Sequence, residues 1–267
     1  MEAAQECGAS SWLTALPLVN HGFFLTKSEF RDAVCLRYGW TPARMPGNCA
    51  CGQSFSVEHA LSCTRGGYVA VRHNEIRDAI AALLEETCHN VEIEPALQPL
   101  SGESFRSKSV ITSDGARLDI KAGGFWGGNR HELAYFDVRI FNPHASSYRC
   151  TPLDRVYRQH EAQKRRAYGE RVREVENANF SPLVFSCTGG SSPSTTVFLK
   201  RLGSLLSEKR ETSYAETMGW LRCHLAFALL RASVLCLRGS RPTARRRQED
   251  QDPTSAIVEA RVSWGSG

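Results

Sequence analysis

The chain has 267 residues, 42% of them apolar, which is enough for one large domain or two small ones. Its 33 basic and 28 acidic side chains leave a net charge of +5, which excludes a globally polybasic protein. No apolar stretch is read as reaching membrane-spanning length, so no membrane partner is expected. The apolar run 12–19 contains Pro17 and lacks a basic flank, unlike a signal peptide. Ten cysteines without an export signal point to reduced thiols and metal ligation, and place the chain inside the cell.

Residues 1–22 show no clear periodicity, and 1–44 read as a helical and irregular N-terminal segment. Within it, 28–38 is a short amphipathic helix with Ser28 as candidate N-cap and Gly39 as terminator. Segment 45–70 carries a cluster of soft ligands: Cys49 and Cys51 one residue apart, His59 seven residues on, and Cys63 three after that. His59 and Cys63, at i and i+4, share one face of a helical turn capped by Ser56. Three thiolates and one imidazole make a closed tetrahedral zinc site, structural because it keeps no open position. The tight first gap departs from the usual spacing, and three small buried thiols beside a surface histidine are the alternative.

A clear amphipathic helix follows over 72–86, with Ile76, Ala79, Ile80, Leu83 and Leu84 as its buried stripe. Glu75 sits beside that stripe, either favouring the helix N-terminus or reaching towards an acidic site. A strand over 91–97 ends or lies at an edge because of Pro95, and 99–113 reads as a polar loop.

Segments 116–122 and 132–141 then alternate as the arms of a half-buried hairpin. Ala116, Leu118, Ile120 and Ala122 share one face of the first arm; Ala134, Phe136, Val138 and Ile140 share one face of the second. Pairing Ala122 with Ala134 brings Asp119 opposite Asp137. Bare carboxylates about 5 Å apart at Cβ repel each other. A divalent cation with hard oxygen ligands, Mg²⁺ or Mn²⁺, reverses that sign.

After Asn142 and Pro143, a long basic helix is expected over 152–177, with Tyr157, His160, Lys164 and Tyr168 along one stripe. His160 reads as structural rather than chemical. A short buried strand over 181–187 follows, then helices over 194–209 and 214–237, the second apolar nearly all round. From Gly239 to Gly267 the composition turns to Arg, Pro, Ser, Gln and Asp, that of a disordered tail. The expected fold class is therefore α/β: a mixed sheet flanked by helices over 71–190, a zinc knuckle before it and C-terminal helices after it over 191–238.

The order helix, strand, strand, strand, helix, strand resembles the PD-(D/E)xK restriction-like nucleases. It is most similar to the endonuclease region at the C-terminal end of site-specific non-LTR retrotransposon polyproteins. The carrying residues are the knuckle at 49, 51, 59 and 63, Arg72-His73, Glu94-Pro95, the Arg117-Leu118-Asp119 and Asp137-Val138-Arg139 strands, and the 164–168 helix segment. The resemblance implies that Asp119 and Asp137 bind Mg²⁺, and that the chain nicks DNA to prime reverse transcription, which puts it in the nucleus. It also admits the element's RNA, and a reverse transcriptase encoded elsewhere, as partners; the chain has no Tyr-x-Asp-Asp polymerase turn of its own. Two residues depart from the pattern. Leu118 replaces the proline before Asp119, and Arg139 stands where the motif carries lysine. A guanidinium keeps its proton at neutral pH, so Arg139 suits a phosphate clamp rather than a base. The retroelement enzymes carry the lysine on the following helix, which fits Lys164; Lys121, on the face of Asp119, is the other candidate. The remaining reading is a catalytically decayed, zinc-stabilised nucleic-acid-binding module.

Overall fold

The structure is a computed structural model that describes residues 6, 8–65, 68–98, 116–127, 131–148 and 150–239. The 99–113 loop and all of the expected disordered tail beyond Gly239 lie outside the described residues. So does most of 1–7.

The N-terminal segment is more regular than its composition suggests. A single turn, α1 (Ser11–Thr14), and a 3₁₀ turn at Val19–His21 precede α2 (Lys27–Tyr38). Thr26 rather than Ser28 caps α2, in a reciprocal box with Glu29. Trp12, Phe23 and Ala33 form a small core with Ala226, Phe227 and Leu230.

The next helices are α3 (Val57–Ser62), capped by Ser56, and α4 (Tyr68–Thr87). Because α4 starts a turn earlier than its apolar stripe, Glu75 lies in its interior, not at its dipole end. There its charge acts on Arg231 of the C-terminal helix.

Four strands follow: β1 (His89–Ile93), β2 (Ile120–Gly123), β3 (Leu133–Phe141) and β4 (Asn179–Ser186), in that spatial order. The β1–β2 and β2–β3 pairs are antiparallel, and β3–β4 is parallel. A parallel pair needs a crossover. It is supplied by α5 (Leu153–Lys164), a π-helical turn at Arg165–Gly169 and α6 (Glu170–Glu174). The single long helix expected over 152–177 is thus interrupted directly after Lys164. The chain closes with α7 (Pro193–Arg210) and α8 (Tyr214–Arg238).

Edge strand β1 is largely exposed, whereas β2, β3 and the C-terminal half of β4 are buried on both faces. On one, Ile120, Ala122, Ala134, Phe136 and Val138 pack with Ile76, Ile80 and Leu84 of α4, Phe198 and Leu202 of α7, and Leu221, Leu225 and Leu229 of α8. On the other, Tyr135 meets Val172 of α6, and Phe141 meets Val156 and Tyr157 of α5. β3 is therefore not the half-buried arm its alternation predicts, because the crossover covers its polar-looking face.

By length and composition α8 could cross a membrane, a property its scattered polar residues conceal in the sequence. In this fold it is largely buried, packing against α4, α7 and the N-terminal helices.

Candidate metal centres and acidic site

The cysteine cluster assembles as its spacing suggests. Gly52, in the left-handed region at φ 87°, closes a turn in which Cys49 N–H donates to Gln53 O (2.9 Å) and Gly52 N–H to Cys49 O (2.9 Å). That turn lets Cys49 and Cys51, one residue apart, face the same point. The donor atoms of Cys49, Cys51, His59 and Cys63 all lie within 4.8 Å of one another. Cys49 Sγ and Cys63 Sγ are 3.8 Å apart, and Cys51 Sγ lies 3.3 Å from His59 Nε2. Zinc–sulfur bonds of about 2.3 Å in a tetrahedron space two sulfurs by roughly 3.8 Å. The donor set therefore fits zinc in both chemistry and size, and all four positions are protein ligands.

The acidic site forms at the β2–β3 seam. Ala122 pairs with Ala134 and Ile120 with Phe136, so the next step of the register faces Asp119 with Asp137. The regular alternation nevertheless breaks at Asp119. Ile120 and Ala122 enter the core under α4, whereas Ala116 and Leu118 enter the opposite cluster with Tyr135 and Val172. Residues 116–119 pair instead with the stretch after β1: Ala96 bridges Arg117, and Glu94 N–H donates to Asp119 O at 2.9 Å. This change of partner ends the expected 116–122 strand at Ile120. It also frees the Asp119 side chain, whose Oδ2 accepts the Val138 N–H at 2.5 Å.

Asp137 lies in mid-β3, 5% exposed. Burial pushes its pKa up to about 6, against the lowering influence of Lys164 and with the Asp119 charge adding to the rise. Lys164 Nζ, at the end of α5, stands 2.6 Å from Asp137 Oδ2. This close ion pair, with the hydrogen bond it carries, is what holds the Asp137 carboxylate against its burial. The Lys164 ammonium also lies 5.7 Å from the centre of the Tyr168 ring. The π turn sets that spacing, since the extra residue it absorbs re-phases the helix between the two side chains.

Lys121, the other candidate, is committed elsewhere: it ion-pairs with Glu92 across the β1–β2 seam. Arg139 is exposed and makes no ion pair among the described residues, but its charge is felt by His160. His160 is a packing residue, bonded to Tyr148 Oη at 3.1 Å and set 4.9 Å from the Phe141 ring. Burial, together with the charges of Arg139 and Lys164, holds its pKa down to about 4.

His73 enters the site without a role predicted from sequence. Its Nε2 lies 3.2 Å from Asp119 Oδ2 and 3.1 Å from Val138 O. Burial opposes a charge on this ring, yet the hydrogen bond and charge of Asp119 outweigh it and raise the pKa. Four residues on, Arg77 reaches Asp78 (2.8 Å) and Glu94. The i, i+4 repeat of His73 and Arg77 is the sequence signal for this flank of α4. Arg72, by contrast, is buried behind the site, where its charge acts on Cys187.

No protein-family model matches the chain, and no curated protein matches it.

Proposed function

We propose that the chain is a metal-dependent DNA endonuclease with a restriction-endonuclease-like core, belonging to or derived from a retroelement. One observation carries the reading: the register sets Asp119, just before β2, opposite Asp137 of β3, and a lysine from the crossover helix stands against Asp137. The αβββαβ order, two antiparallel pairs followed by one parallel pair, supports the same fold assignment. The knuckle preceding it supports the retroelement branch. Exposed Arg155, Arg158, Arg165 and Arg166 lie along the crossover that carries Lys164 and give it a basic outer surface that suits a polyanion.

Asp119 and Asp137 would hold Mg²⁺ or Mn²⁺. Their hard oxygens suit it, and a carboxylate offers about four lone-pair sites, so Asp137 keeps acceptor positions beyond the one facing Lys164. The bound cation supplies charge neutralisation at phosphate and a lowered pKa for an attacking water. The chain's own residues do the rest. His73 and the Val138 N–H fix the Asp119 carboxylate from two directions, so its orientation is set before substrate arrives. Lys164, held beside Asp137 at the end of α5, would orient the water and meet the charge developing on the phosphate. Arg139, exposed on the same face of β3, clamps non-bridging oxygens. The zinc cluster has a structural role only, tying the 48–63 segment to the fold.

The test is nicking of supercoiled plasmid by zinc-loaded protein with added Mg²⁺ or Mn²⁺. Metal-dependent nicking that Asp137→Ala abolishes supports the reading; an intact plasmid, or equal cutting by the variant, refutes it. Arginine at 139 and leucine at 118 favour a second reading, a decayed nucleic-acid-binding module. It predicts an intact plasmid together with salt-sensitive DNA binding that survives loss of both aspartates.

A further inference from the structure

Of the eleven large apolar side chains exposed among the described residues, eight lie before residue 41, so the N-terminal segment carries most of the uncovered apolar surface. Its two most exposed aromatics are Tyr38 and Trp40, 53% and 58% exposed. They stack on each other, with centroids 5.0 Å apart and planes inclined by 25°.

Backbone geometry fixes this pair. Gly39 ends α2 in the left-handed region (φ 69°), with its N–H on Leu36 O at 3.4 Å and the Trp40 N–H on Cys35 O at 2.8 Å. Such a Schellman ending usually turns the residue after glycine inward, onto the last helical turn. Here Trp40 turns outward onto Tyr38 instead. The loop beyond is equally fixed: Arg238 of α8 ion-pairs with buried Asp32 and donates to the carbonyls of Ala43 (2.9 Å) and Arg44 (3.3 Å).

Cations border the rings. The Arg37 guanidinium lies 5.8 Å from the Tyr38 centroid, and Arg31 and Arg44 are exposed on the same segment. The exposed guanidiniums of Arg31 and Arg44 favour an anionic partner over a purely apolar one. Planar groups joined by phosphates satisfy both features, with base faces on the rings and anions on the guanidiniums. Bases inside a duplex already have both faces covered, so only an unpaired base can use the platform.

We propose that Tyr38 and Trp40 form a stacking platform for unpaired bases of single-stranded DNA, separate from the acidic site. The choice of DNA over RNA rests on the nuclease reading; the stacking itself does not.

The test is binding rather than cleavage, so it stands whether or not the plasmid is nicked. Anisotropy of a labelled short oligothymidylate is followed without divalent metal, using wild type, Tyr38→Ala, Trp40→Ala and Trp40→Phe. Each alanine should weaken binding about tenfold and phenylalanine should retain most of it, while blunt duplex affinity stays unchanged. A second comparison needs no variant: wild type should bind an abasic oligomer of equal length about tenfold or more weakly than oligothymidylate. Equal affinity for the abasic strand, or alanine variants that bind like wild type, overturns the platform. Tighter binding of oligouridylate than of oligothymidylate overturns its assignment to DNA.

Discussion

Lys164 Nζ and Asp137 Oδ2 stand 2.6 Å apart, joining the crossover helix to β3 with the carboxylate side chain only 8% exposed. A buried carboxylate with a single cation beside it is costly unless that cation, or a metal, stays. Lys164→Met should therefore lower nicking by more than about a hundredfold at saturating Mg²⁺, because the water and the phosphate lose their positioning charge. Lys121→Met, which breaks only the pair with Glu92, should leave the rate within a few-fold of wild type. Initial rates of plasmid relaxation measure both, and the reverse result would hand the role to Lys121.

Zinc should be present at one ion per chain, measured by elemental analysis of protein purified without chelator. Cys63→Ser, or removal of the ion with a strong chelator, should lower the melting temperature sharply, since binding free energy at such sites is folding free energy. Unchanged melting after chelation would mean that the thiols are merely packed.

His160 makes stability depend on pH with a defined sign. Its ordinary pKa of 6.5 falls to about 4 in the fold, so the unfolded chain takes up the proton first as pH drops. The contribution of neutral His160 is complete above pH 6.5 and is lost progressively towards pH 4. Urea midpoints measured across that range should fall more steeply for wild type than for His160→Gln; parallel curves would exclude this linkage.

Leu118 should resist restoration of the motif's proline. Its side chain is buried with Tyr135 and Val172, and its N–H donates to Pro95 O at 3.3 Å. Proline there loses the donor and most of the packing, so Leu118→Pro should destabilise by about 2–4 kcal/mol in a denaturant titration. A neutral or stabilising result would show that the backbone is already preset for proline.

The local order of the chain was legible in its residues. Period-two alternation located β3, the glycine at 39 stopped α2, and ligand spacing alone announced the cysteine cluster. Parity limited Asp119 and Asp137 to registers of one phase; which of these the chain adopts, the one pairing Ala122 with Ala134, was settled by the fold. What the sequence left open were choices between equivalent local patterns. Lys121 and Lys164 are both lysines near an acid, and only packing committed one to Glu92 and aimed the other at Asp137. The break in alternation at Asp119, the π turn after Lys164 and the place of His73 beside Asp119 all depend on contacts between elements distant in sequence. No local periodicity encodes them, since each arises where two separately formed elements compete for the same space or the same hydrogen bond.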